Sequence, residues 1–282
     1  MFAATTVSTN SFNDLSKPQT NGLTDSADGD VFVGLAGADD VFTASEANLE
    51  NADHILVDGS SSDNDVLNVT GTAFSTNVTT LNDVVRGIEN VNVSFDSLVQ
   101  STFVASGIGS ASTITVSQVR DGGSGDIVIS TVAGGSTVVA GTGVTDLTVD
   151  NMAAGAALTV DAGTATGVIT ADVNGDDATV SVDADSAGTI DVSSTSGDIT
   201  GTSGADANID ADSTAAGNIT VTAASSTDVT ANTTGAGAVT IVAEGNSVTY
   251  TGAVATITLD NLDTTDASVT ANGTGAEDTL TL

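Results

Sequence analysis

The chain has 282 residues, with 37 acidic and 3 basic side chains and a formal net charge of −34. Such a polyanion lacks the cationic surface that nucleic acids require, no apolar run is long enough to insert into a membrane, and no cysteine is present for a disulfide or a thiolate metal site. Because 39% of the residues are hydrophobic, the composition indicates a folded protein.

Residues 1–20 are predicted to form a flexible N-terminal arm. They include Asn10, Ser11 and Pro18, and they lack the basic start and the apolar core of a general secretory signal peptide. A cysteine-free, lysine-poor chain rich in Asp, Thr and Gly is unusual in the cytoplasm. We therefore expect export by a route that reads no N-terminal signal.

Residues 21–108 and 109–282 are predicted to be two regions, because the composition changes between them. All seven Phe residues lie at or before Phe103, and no Lys, Arg, His, Phe or Trp occurs from Asp121 onward. The upstream region can build an ordinary core and is predicted to be a small β domain. The downstream region has to build its core from small side chains.

The upstream region contains turns that predict calcium binding. Gly34, Gly37, Asp39 and Val41 fit a glycine-rich nonapeptide in which an acid ends the turn and an apolar residue anchors the next strand. Glycine allows the sharp bend, and carboxylates with inward carbonyls supply the oxygens that Ca²⁺ prefers. The nonapeptide resembles the repeats-in-toxin pattern. The predicted metal ligands are Asp25, Asp28, Asp30, Gly34, Gly37, Asp39, Asp40, Asp58, Asp63 and Asp65.

The downstream region predicts a β-solenoid, with a β-sandwich as the alternative. Short runs such as Asn218–Thr222 and Ala255–Leu259 recur about every ten residues and alternate β-branched apolar with polar side chains. Inward residues are uniformly small, and two-residue hairpin signals are few. We expect stacked coils of roughly 20 or 30 residues, with two or three strands in each coil.

Several segments resemble type I-secreted bacterial surface-layer and adhesin proteins. They are 51–59 leading into 65–70, Val85–Val93, and 146–155. The resemblance implies an extracellular protein that is exported without an N-terminal signal peptide, folds on calcium and assembles into a lattice. It also implies a secretion signal at the C-terminus, and the final residues Thr279–Leu282 show no distinct appended signal.

The residues do not predict an enzyme. His54 is the single histidine, and a lone histidine is more often structural than catalytic. Carboxylate pairs could cleave glycosides, but the repeat region offers only Tyr250 as an aromatic sugar platform.

Thr-x-Thr pairs occur at 113/115, 220/222, 249/251, 256/258 and 279/281, and are similar to those of ice-binding proteins. Their spacing along the chain is irregular, which favours ordinary outward-facing threonines on strands.

The combined prediction is an all-β extracellular structural protein of the cell surface. It would self-assemble in a calcium-dependent way into a surface layer or filament, with itself and cell-surface polysaccharide as expected partners. The alternative is a secreted adhesin or ligand-binding solenoid that presents a face to glycans or ice.

Overall fold

The fold is known from a computed structural model, which shows an all-β protein. The structure describes residues 20–22, 31–45, 55–57, 63–71, 85–105, 108, 111–120, 125–133, 135–150, 157–173, 180–184, 188–195, 197–204, 208–215, 217–223, 228–233, 237–243, 247–252, 254–259, 268–273 and 279–281. Those residues contain 25 strands and no α-helix. No helix capable of crossing a membrane occurs in that part of the chain.

The odd-numbered strands form one 13-stranded sheet in which every neighbouring pair is parallel. Its strands are β1 (Thr20–Gly22), β3 (Val41–Ser45), β5 (Val66–Gly71), β7 (Asn90–Phe95), β9 (Thr113–Gln118), β11 (Thr137–Ala140), β13 (Leu158–Asp161), β15 (Val180–Ala184), β17 (Ile199–Ser203), β19 (Ile219–Ala223), β21 (Ala238–Ala243), β23 (Val254–Leu259) and β25 (Thr279–Thr281).

The even-numbered strands form a three-stranded and a nine-stranded sheet, again with parallel pairs. The three-stranded sheet contains β2 (Val31–Val33), β4 (Ile55–Val57) and β6 (Val85–Arg86). The nine-stranded sheet contains β8 (Ser101–Val104), β10 (Ile127–Ser130), β12 (Leu147–Asp150), β14 (Val168–Val173), β16 (Thr189–Ser194), β18 (Asn208–Ser213), β20 (Asp228–Thr233), β22 (Ser247–Gly252) and β24 (Ser268–Gly273).

This strand order is that of a β-solenoid with two strands per coil. Consecutive strands lie in opposite sheets, and each strand pairs with the strand two places along the chain. A β-sandwich built from hairpins would instead pair consecutive strands in antiparallel fashion. The predicted solenoid is therefore confirmed, and of the two predicted coil types the one with two strands is observed.

Alternating side chains of both sheets fill the core between them. In β19 the side chains of Ile219, Val221 and Ala223 are buried, while the two threonines between them are exposed. The same alternation runs through β18 and β20. Parallel stacking places like residues over one another, so Ile219 lies in register with Val239.

The 13-stranded sheet continues across the composition change predicted as a domain boundary at 108/109. Strand β7 pairs with β9 along six residue positions, from Asn90–Thr113 to Phe95–Gln118. Strands on both sides therefore share one sheet, and whether either side folds by itself stays a prediction. The predicted arm, residues 1–20, lies outside the described residues except for Thr20.

The composition change coincides with a change in coil length. Hydrogen-bonded positions in successive coils are 25 residues apart at Asp40 and Asp65, but 20 residues apart at Asp212 and Asn232. The longer coils contain the buried rings of Phe42, Phe95 and Phe103. Among the described hydrophobic residues, the shorter coils bury one ring, that of Tyr250, and otherwise small aliphatic side chains.

Candidate metal centre

Three acidic residues stack at the N-terminal ends of neighbouring strands in the 13-stranded sheet, each directly before its strand. Asp40 precedes β3, Asp65 precedes β5 and Glu89 precedes β7. Backbone hydrogen bonds join these positions, from Val66 N to Asp40 O at 2.9 Å and from Asn90 N to Asp65 O at 3.0 Å. The parallel register therefore places the three acids over one another in successive coils.

Their side chains form a hydrogen-bonded column, which we call the carboxylate ladder (Asp40, Asp65 and Glu89). The amide of Asp40 donates to Asp65 Oδ1 at 2.7 Å, and the amide of Asp65 donates to Glu89 Oε2 at 3.1 Å. The amide of Leu35 donates to Asp40 Oδ2 at 2.5 Å. Asp40 and Asp65 are completely buried. Each carboxylate is thus fixed by the backbone of the preceding turn or coil.

A fourth acid completes a cluster with the chemistry of a metal site. Asp63, Asp65 and Glu89 each present one carboxylate oxygen, and these three atoms lie within 4.8 Å of one another. Asp63 Oδ2 accepts a hydrogen bond from Gly37 N at 2.7 Å, while Asp63 Oδ1 is buried and accepts none. A buried carboxylate oxygen without a donor is costly unless a cation approaches it.

The donor set fits a hard divalent cation. All three ligand atoms are carboxylate oxygens from two successive coils, and Ca²⁺ takes six to eight oxygens in flexible geometry. One described basic residue forms an ion pair with an acid outside this cluster. Arg120 pairs with Asp96, at 2.5 Å from Nε to Oδ1, on an exposed surface. The hydrogen bond from Arg120 lowers the pKa of the Asp96 carboxyl.

The structure brings some of the sequence-predicted ligands together and leaves others apart. Asp63 and Asp65 lie in the cluster, and Asp40 lies next to it in the carboxylate ladder. Asp39 is exposed and accepts a hydrogen bond from Asn64 N at 3.0 Å. Asp25, Asp28, Asp30 and Asp58 lie outside the described residues.

Of the two glycines among the predicted ligands, one donates its amide to the cluster and the other is buried beside the same turn. Gly37 has a φ of +86°, which favours glycine, and this turn aims its amide at Asp63. Gly34 is buried beside the same turn.

Glu89 was missed by sequence reasoning, because the nonapeptide pattern seeks an aspartate after a glycine turn. The sequence signal for Glu89 was the separation between acids in successive coils. Residues 40 and 65 are 25 apart, and residues 65 and 89 are 24 apart. Each of the three acids also stands directly before a strand.

A second acidic surface lies on the outward face of the nine-stranded sheet. Asp150 is in register with Asp172, and Asp191 is in register with Asp210. Asp212 is on the same strand as Asp210 and accepts a hydrogen bond from Asn232 Nδ2 at 2.8 Å. We call these five aspartates the acidic face.

Partial burial, and then the neighbouring charges, raise the pKa of two carboxyls on the acidic face. Partial burial raises the pKa of Asp191, and the charges of Asp212 and Asp172 raise it further. Partial burial likewise raises the pKa of Asp210, with added contributions from Asp212 and Asp191. Both side chains remain exposed at the surface, so solvent screens these interactions.

A pH dependence of stability follows from these two shifts. A carboxyl whose pKa is raised on folding binds its proton more tightly in the folded state, so its stabilisation is present below the unfolded pKa near 3.8 and is lost as pH rises through the folded value. We expect Asp210→Asn to raise the melting temperature at pH 7 by about 1–3 °C, since like charges facing each other across strands cost up to about 1 kcal/mol. The gain should shrink as pH falls towards 4.

The matched control is Asp228→Asn, which removes the same charge from β20, where Asp228 accepts a hydrogen bond from Ser247 Oγ at 2.8 Å. It should not raise the melting temperature. Equal gains in both variants, at both pH values, would show that net charge rather than local crowding sets the effect.

Comparisons with known proteins give no match: no family model, no curated protein and no solved structure is similar to this chain.

Proposed function

We propose that this protein is an extracellular structural protein that self-assembles on calcium into a cell-surface layer or filament. The supporting observation is the cluster of Asp63, Asp65 and Glu89, which presents three carboxylate oxygens from two successive coils within 4.8 Å. An ion held there would tie one coil to the next, so folding of this part of the solenoid would depend on calcium.

The charge distribution supports a role for calcium in assembly as well. The chain carries 37 acids against 3 basic residues, and the acidic face stacks carboxylates in adjacent strands. Two such surfaces repel each other in low salt. Divalent cations that bind between copies would replace this repulsion with a bridge, and we expect acidic cell-surface polysaccharide to be held in the same way.

An extracellular location agrees with the expected strength of the site. Calcium modules that work outside cells bind at about 10⁻⁴–10⁻³ M, because that medium holds the ion at high concentration. We propose that this three-carboxylate site, in which Asp63 and Glu89 are half-buried, belongs in the same class. The absence of cysteine and the resemblance to type I-secreted surface proteins support the same location.

The proposed role is structural rather than enzymatic. The oxygens of Asp65 and Glu89 in the carboxylate ladder accept backbone amide hydrogen bonds, which orient these carboxylates as the proposed ligands. His54, the single imidazole of the chain, lies outside the described residues.

The test is assembly of the purified chain followed by light scattering and electron microscopy. In millimolar CaCl₂ we expect ordered sheets or filaments, and in EDTA we expect dispersed particles that assemble again when calcium is restored. An equal concentration of MgCl₂ is the matched control, because Mg²⁺ demands a stricter octahedral geometry. Monodisperse particles in calcium at high protein concentration would refute the proposal.

A further inference from the structure

The outward face of the 13-stranded sheet carries an uninterrupted row of hydroxyl side chains. The row runs through consecutive parallel strands, one residue from each, and we call it the hydroxyl ladder. Its members with described side chains are Thr113, Thr137, Thr159, Ser181, Thr200, Thr220 and Thr240. Thr256 and Thr279 continue the backbone register.

The fold creates this order from an irregular sequence pattern. With 70/72, 164/166 and 200/202, the sequence has eight Thr-x-Thr pairs. Five of them have their first threonine in the hydroxyl ladder: 113/115, 200/202, 220/222, 256/258 and 279/281. The pair 249/251 lies on the opposite sheet. Coil lengths vary, so the spacing along the chain varies, while parallel pairing still brings the threonines into one column.

The hydroxyl ladder and the column of side chains beside it both follow the regular spacing of the sheet. Neighbouring strands in a sheet are about 4.7–4.9 Å apart, which sets the distance between successive hydroxyl-bearing residues. A second outward column lies two residues further along each strand, about 6.6–6.8 Å away. That column contains Thr115, Thr202 and Thr222, with valine or aspartate in other coils.

The opposite sheet shows that strand propensity alone does not produce such a row. There the equivalent outward column also contains threonines, but Asp191 and Asp210 interrupt it. The hydroxyl ladder contains no charged residue over nine strands. Thr159 and Thr220 are exposed, and the other described members are half-buried between their neighbours.

We propose that the hydroxyl ladder is an ice-binding face. An uncharged row of evenly spaced methyl and hydroxyl groups holds first-layer water in fixed positions, with hydroxyls as donors and acceptors and methyls limiting the orientations of the water. Water ordered on a repeating lattice can join the surface of a crystal that repeats as well. Sugar binding would need aromatic platforms, and the ladder has none. This inference is independent of the proposed calcium-dependent assembly.

The test compares matched double variants on the two sheets. Thr200→Tyr with Thr220→Tyr places two large rings on the hydroxyl ladder, and Thr230→Tyr with Thr249→Tyr places the same rings on the opposite sheet. Fluorescently labelled protein in calcium buffer is offered to a slowly growing ice crystal, and its concentration in the ice is measured against that in the liquid. Tyrosine is well tolerated on strands, and circular dichroism checks the fold.

We expect enrichment in ice for the wild type and the opposite-sheet variant, and loss to the level of an unrelated soluble protein for the ladder variant. The single substitution Thr220→Lys, at an exposed position, gives a second reading if the double variant does not fold. If the wild type entered the ice only to the level of an unrelated soluble protein, the proposal would be overturned. Equal binding by all variants, or equal loss in both double variants, would overturn it as well.

Discussion

Replacing Glu89 with glutamine is expected to abolish the rise in melting temperature that calcium gives the wild type. Glutamine keeps the length of the side chain and an oxygen that accepts the hydrogen bond from Asp65 N, but it removes one of three clustered charges. Calcium at 100 times its dissociation constant, which is about 10–100 mM for a site of the extracellular class, stabilises the folded state by about 2.7 kcal/mol, or about 5–10 °C in a chain of this size. The measurement is thermal unfolding followed by circular dichroism in calcium and in EDTA.

The same substitution should have the opposite effect without calcium. In EDTA, Asp63, Asp65 and Glu89 repel one another, so Glu89→Gln should match or exceed the wild type in melting temperature. The control is Asp161→Asn, which removes one charge from the exposed face of β13 and should keep the calcium response. An undiminished calcium response in Glu89→Gln would place the ion elsewhere.

The solenoid could be predicted from sequence because its signal repeats. Strands such as β19 alternate small apolar and polar residues, and the repetition about every ten residues indicated coils of roughly 20 or 30 residues with two or three strands each, of which the structure has two. The continuity of the sheet across 108/109 could not be predicted, because the composition reports which side chains fill the core and not which strands pair.

The metal cluster could be predicted only in part, for a related reason. Asp63 and Asp65 belong to a local turn pattern, whereas Glu89 joins them through a register 24 residues long. The hydroxyl ladder likewise depends on register. Its members are irregularly spaced along the chain, and only the pairing of strands shows that they form one column.

A buried ring is expected to contribute strongly to stability in the longer coils. Phe95 is completely buried at the end of β7, in the part of the solenoid where Asp96 and Arg120 of successive coils are 24 residues apart. We expect Phe95→Ala to lower the free energy of unfolding by about 3–5 kcal/mol, because it removes the ring and leaves a cavity between rigid sheets. Urea unfolding in calcium gives the value, and Leu98→Ala, at a side chain 58% exposed, should change it by less than about 0.5 kcal/mol.

In the shorter coils, we expect the addition of a large side chain, rather than its removal, to destabilise the protein. Ala211 is completely buried where Asp212 and Asn232 are only 20 residues apart, and it stacks between Val192 and Ala231. The same column buries the ring of Tyr250 two coils further along. Ala211→Phe adds a ring where the neighbouring side chains are packed around a methyl group, so it should cost about 1–3 kcal/mol, as is typical of overpacking. If Ala211→Phe were tolerated while Phe95→Ala were not, the shorter coils would have room for a ring at this position as they have at Tyr250, and coil length would not explain the change of composition near residue 108.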